Sequence, residues 1–172
     1  MQSLVMSLTK YSLLVNLISR LKSSGESRYV RIIHWSNLRE RPILGQRVTP
    51  AWIDEMDENE VFVFGSNTRG IHDGGASFTA VQYFGAIVGQ AEGIQGQSYA
   101  IPTDGPTLKE IGVAVKRFIA FAKAHPNLTF LVTEIGCGTA GFHPMEIAPM
   151  FIDAVSVPNI YLPKPFWKYI IK

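Results

Sequence analysis

The chain has 172 residues, 47% hydrophobic and 17% charged, which suits one domain with a substantial core and argues against wholesale disorder. Lys and Arg number 16 against 14 Asp and Glu, a formal charge of +2 that is too even for a protein coating nucleic acid. A single cysteine, Cys137, rules out an intrachain disulfide and fits a reducing, cytoplasmic setting. His34, His72, His125 and His143 are too scattered for a metal site, so neither a metal nor another cofactor is expected.

In chain order, Leu4, Leu8, Tyr11, Val15 and Ile18 recur at helical spacing and predict an amphipathic N-terminal helix. It is too short and too interrupted by Lys10 to span a bilayer. Met1 to Thr9 also lack the basic start of a secretory signal. The helix is expected to pack on the domain or on a partner. With the linker around Ser23–Ser27 it forms a segment over 1–27, and the α/β domain is expected over 28–172.

The run Tyr29–Trp35 reads as a strand. Thr49-Pro50 reads as the start of a short helix ending near Met56, Thr capping and Pro in the first turn. Val61–Phe64 is a continuous apolar run, as in a strand buried on both faces, and leads into Gly65-Ser66-Asn67, Gly70 and Gly74-Gly75. A helix is predicted from Ala76 to about Val88, with Phe78, Val81, Gln82 and Gly85 at helical spacing. Tyr99–Pro102 predicts a short strand that Pro102 terminates or leaves at an edge.

Thr107 caps a long predicted helix from Leu108 to about Ala124, with Ile111, Val115, Phe118, Ile119 and Ala122 inward. Thr129–Thr133 is the clearest strand and enters a second glycine loop, Gly136 to Gly141. Pro144 opens another helix with Ile147, Met150, Phe151 and Ala154 inward, and Ile160–Leu162 predicts a last strand. The alternation implies a three-layer α/β/α sandwich around a mixed, largely parallel sheet.

A buried strand, a glycine-rich loop and a helix occur in that order twice. In a parallel sheet both loops lie at the strands' carboxyl ends, where such folds bind ligands. Each following helix offers open amides and a positive dipole end, suited to phosphate, and two facing loops can grip a diphosphate. Neither loop has the Gly-Lys-Ser/Thr of a P-loop nor the spacing of a dinucleotide fingerprint.

Among nearby side chains, Asn67 either reads a ribose hydroxyl or serves a left-handed turn. Asp73 is placed to orient a water or a ribose hydroxyl, whereas His72 reads as exposed. Phe142 covers a ribose or base, or packs in the core. His143, at a helix start, reads as neutral or facing ligand. Asp104 reads as a turn former, and Glu134 as a buried structural carboxylate or a base.

Val61–Asn67, Gly74-Gly75-Ala76 and Ile135–Phe142 together resemble the macrodomains, nearer to a divergent macrodomain-like group of bacteria and phages than to the standard members. The resemblance covers roughly Thr49 to Pro163. It implies an ADP-ribose-binding domain in which Asn67 faces the distal ribose and Gly74, Gly75 and Ala76 form the first diphosphate loop. Gly138, Thr139, Ala140 and Gly141 would form the second, with Phe142 beside the ribose.

Gly65, Ser66, Gly136 and Cys137 complete the expected ligand set, and Asn67 with Asp73 is the expected catalytic pair if an ADP-ribosyl bond is hydrolysed. An ADP-ribosylated macromolecule is then a candidate partner. Where the family has an aspartate reading adenine, this chain has Gln46: either it reads the base differently, Asp54 substitutes, or the base is not adenine. Phe64-Gly65-Ser66 also replaces the family's Asn-Ala-Ala. The alternatives are a non-catalytic module docking a partner through the N-terminal helix, and a phosphatase using Glu134 or Asp104.

Overall fold

A computed structural model describes residues 47–170. The predicted N-terminal helix, the linker, the strand Tyr29–Trp35 and Gln46 lie outside the described residues. The elements are β1 (Val48–Thr49), β2 (Glu60–Asn67), α1 (Gly75–Tyr83), β3 (Gly93–Gln95), β4 (Ser98–Asp104), α2 (Leu108–Ala124), β5 (Thr129–Val132), α3 (Pro144–Ile147) leading into a 3-10 helix (Ala148–Ser156), β6 (Ile160–Pro163) and α4 (Lys164–Ile170). The six strands form one sheet in the order β1-β6-β5-β2-β4-β3. Only the β3–β4 pair is antiparallel, so the fold is α/β with a mixed, mostly parallel sheet. Among the described residues no helix is long and apolar enough to cross a membrane.

The strand β2 shows why the apolar run at Val61–Phe64 is continuous. Successive side chains of a strand point to opposite faces. Val61 and Val63 join the larger core with Ile111, Phe118, Phe130 and Phe151, while Phe62 and Phe64 join a smaller one with Ala80, Phe84 and Ala100. The helix α2 follows its sequence closely. Thr107 and Glu110 form a reciprocal capping box, and Ile111, Val115, Phe118, Ile119 and Ala122 are all buried.

Three expectations are corrected. Residues 51–56 form no helix; Val48–Thr49 pairs instead with Leu162 and Pro163 of β6. A residue before proline is pushed into extended conformation, which a strand and a helix cap share, so the pairing with β6 decides between them. The Thr49 hydroxyl is buried without a partner among the described residues, so it caps nothing.

The helix α1 stops at Tyr83 rather than near Val88, because Gly85 takes a left-handed φ of +70° and the Ala86 amide turns back to Ala80 O at 3.0 Å. Gly85 therefore stops the helix, and its backbone also packs closely on Gly96, where an added Cβ would lie 2.6 Å from Gly85 O. Phe78 is 49% exposed, while Ser77, Ala80 and Phe84 are buried.

Pro102 lies inside β4 rather than ending it. Its position opposite Ser66 lies beyond the last residue of β4 that β3 pairs, Ala100, and adjoins a register shift at Ser66/Asn67. Both features tolerate a missing N–H. The strand β3 and helix α4 were not expected. The latter buries Phe166, Trp167 and Ile170, and the Trp167 indole donates to Arg47 O at 3.2 Å.

Candidate functional site

The connectivity of the sheet creates a crevice. From β2 the chain moves through α1 and β3 to β4 on one side, then α2 carries it back across β2 to β5 on the other. The loops leaving β2 and β5 thus diverge at the carboxyl ends of adjacent parallel strands, the point at which open α/β sheets leave room for a ligand. A cleft of about 150 Å³ lies there.

Both predicted loops line it. Gly65, Ser66, Asn67, Asp73, Gly74, Gly75 and Ala76 contribute from the first, and Gly136, Gly138, Thr139 and Ala140 from the second. Cys137, Gly141 and Phe142 do not line it. Phe142 and Cys137 pack instead against the larger core, and the Phe142 amide donates to Gly136 O at 3.0 Å. Gly136 closes this turn with a φ of +73°, a conformation that favours glycine, and the Phe142 ring packs beside it.

The loops present donors. The helix α1 begins at Gly74, which has no side chain to cap it, and Ser77 Oγ donates to Gly74 O at 2.7 Å rather than accepting from an amide. The first-turn amides of α1 are therefore open toward solvent. The amides of Gly138, Thr139 and Ala140 also find no acceptor among the described residues.

Asn67 is mostly engaged in building its own loop. Its Oδ1 accepts from the amides of Arg69 and Ile71, both at 3.0 Å, and Nδ2 donates to Ile71 O at 2.7 Å. One amide hydrogen remains for a ligand. It is not in a left-handed turn, since among the described residues only glycines have positive φ.

His72 is not exposed but 4% accessible. It stands edge-on to Phe64 with Nε2 3.3 Å from Gln90 O and Nδ1 without a partner among the described residues. The ring packs at 5.1 Å from that of Phe64, a contact that residue type and position in a loop do not reveal. His143 caps α3, its Nδ1 accepting from the Met145 amide at 3.1 Å, and does not line the cleft. Asp54 is likewise outside the cleft.

Residues not placed in the ligand set from sequence also line the cleft, among them Thr103, Asp104, Thr133 and Glu134. The Asp104 carboxylate forms no hydrogen bond among the described residues, and Glu134 is exposed, so it is not the buried structural carboxylate offered as one reading of it. Their sequence signal was position alone: Asp104 closes β4 just before Gly105, and Glu134 lies between β5 and the second glycine loop. Comparison with family models, curated proteins and solved structures finds no match.

Burial, with Glu134 and Glu146 adding to it, pushes the Cys137 thiol up to about 11. It stays protonated at neutral pH and is a poor nucleophile. At pH 8, iodoacetamide is expected to alkylate Cys137 more than about a hundredfold slower than an ordinary exposed thiol. The rate should climb with pH up to about 11. Mass spectrometry of timed quenches checks this, and alkylation at the ordinary rate would show the thiol is not shielded.

Proposed function

We propose that the chain is a macrodomain-like α/β/α domain that binds ADP-ribose or a related NAD-derived nucleotide by its diphosphate. The observation that carries the reading is the convergence of two sets of open backbone amides, at the start of α1 and in Gly138–Ala140, on one cleft at the sheet's switch point. Backbone amides are the natural partners of phosphate oxygens where no basic side chain is at hand.

A cleft of about 150 Å³ is smaller than the roughly 300–1,000 Å³ of pockets that enclose a small molecule. It accommodates the diphosphate and an adjoining sugar, and the base lies on the open surface beyond. The reading extends to a metal-independent ADP-ribosyl hydrolase acting on a modified macromolecule. Asp73, exposed in the cleft, orients water, and Asn67 offers its remaining N–H to a ribose hydroxyl.

Titration calorimetry tests the binding claim. ADP-ribose is expected to bind, and AMP, which lacks the diphosphate, to bind at least about tenfold more weakly. Equal affinity, or no binding of either, would overturn the reading. For hydrolysis, Asp73→Ala should abolish turnover of an ADP-ribosylated peptide while ADP-ribose affinity survives; unchanged turnover removes Asp73 from the mechanism.

A further inference from the structure

The cleft's side chains have the wrong sign for a simple diphosphate site. Asp73, Asp104 and Glu134 line it, all exposed, and no lysine or arginine does so among the described residues. None of the three carboxylates is ion-paired or hydrogen-bonded through its side chain within the described residues. They come from three places, the loop after β2, the end of β4 and the residues after β5, so three separate segments bring negative charge to the cleft. They do not converge, together or with other side chains, into a group of three or more able to hold a metal ion.

A second feature points to a ligand independently. Thr103 is 2% exposed and lines the cleft, and its hydroxyl forms no hydrogen bond among the described residues. The register shift in β4 falls there: Ser66 pairs with Pro102 and Asn67 with Asp104, leaving Thr103 as the extra residue. Such bulges re-aim a side chain. Thr103 Oγ1 closes on Gly65 so tightly that a Cβ at position 65 would lie 2.7 Å from it and 3.3 Å from the Gly136 amide nitrogen. Gly65 therefore lets the Thr103 hydroxyl and the Gly136 amide nitrogen crowd together beside its backbone at the cleft wall, and the Gly136 amide also lacks an acceptor among the described residues.

The cleft thus combines donors for an anion with carboxylates for a cation. We propose, resting on the nucleotide reading above, that it selects nucleotides whose distal ribose carries a positively charged group at the anomeric carbon. Thr103 and the open amides hold the anionic part, and Asp104 and Glu134 select the cation. A delocalised organic cation suits carboxylates that come from separate segments; a pyridinium, as in NAD+, and a guanidinium, as in arginine-linked ADP-ribose, share that chemistry. ADP-ribose alone brings negative charge to three carboxylates and has no counter-charge to offer them, so like-charge repulsion discriminates against it.

The test is calorimetry on the full chain with NAD+, NADH, ADP-ribose and a peptide ADP-ribosylated on arginine. NADH has nearly the shape of NAD+ but a neutral ring. NAD+ or the peptide is expected to bind at least about tenfold tighter than NADH and ADP-ribose. Whichever of the two is tighter identifies the cation as pyridinium or guanidinium. In Asp104→Asn/Glu134→Gln the preference should fall to within about twofold, while ADP-ribose binds more tightly than in the wild type. Thr103→Val should weaken all four ligands alike.

Binding of ADP-ribose as tight as that of NAD+ and the peptide, or a preference that survives in the double variant, overturns this inference and leaves the nucleotide reading standing. Failure of all four to bind overturns both. The wild-type ratio of NAD+ to NADH decides the matter without any variant.

Discussion

Gly75→Glu is expected to weaken ADP-ribose binding by at least about a hundredfold, provided that the two loops hold the diphosphate as proposed. A Cβ at Gly75 would meet nothing within 4 Å, so the new side chain has room to extend into the cleft that Gly75 lines. There it puts a carboxylate beside the first-turn amides of α1, where it competes with phosphate for the same donors and repels it. The backbone cost is secondary: Gly75 has a φ of +54°, and a side chain there is strained by about 1–2 kcal/mol. Gly75→Ala carries the same strain without the charge and serves as the control. If Gly75→Ala abolishes binding as fully as Gly75→Glu, backbone strain is responsible and the amide cradle loses its support.

Phe118→Ala is expected to cost about 3–5 kcal/mol of stability, read from the shift in a urea unfolding midpoint. Phe118 is fully buried in α2, with its ring centroid 5.1 Å from Tyr99, 5.5 Å from Phe130 and 6.4 Å from Phe151. Its removal leaves a cavity where α2, β4, β5 and the 3-10 helix meet, and rings packed in tilted and edge-on pairs cannot collapse into that space without losing contacts elsewhere. Phe78→Ala supplies the contrast. Both phenylalanines fall at helical spacing in the sequence, yet Phe78 is 49% exposed, so its truncation should shift stability by no more than about 0.5 kcal/mol. Equal losses in the two variants would mean that Phe78 is covered by something outside residues 47–170.

These two pairs show which parts of the molecule were legible. The periodicity and cap of α2 were read correctly because both are local: Thr107 and Glu110 are three residues apart, and the buried stripe repeats at helical spacing over 17 residues. The helix α1 has only nine residues, and its small residues produce almost no contrast between faces, so which side meets the sheet was left to the neighbours Phe62, Phe64 and Ala100. Thr49-Pro50 shows the opposite failure. Thr followed by Pro is as compatible with an extended segment as with a helix start, and pairing with Leu162 and Pro163, more than a hundred residues later, decided between them.

The candidate site divides along the same line. Glycine density after two apolar runs was visible in the chain, and the chemistry of phosphate and open amides follows from it. That Cys137, Gly141 and Phe142 turn away from the cleft while Thr103, Asp104 and Glu134 line it was not visible, because it depends on how three strands are registered. By itself the sequence determined the central strands, the long capped helix and the two glycine loops, features set by contacts within a few residues. Only the tertiary structure decided that β4 and β5 flank β2, that a one-residue shift sets Thr103 Oγ1 against Gly65, and that three carboxylates, unpaired among the described residues, line one cleft. Strand order and register are set by contacts between residues far apart in the chain, and no local pattern records them.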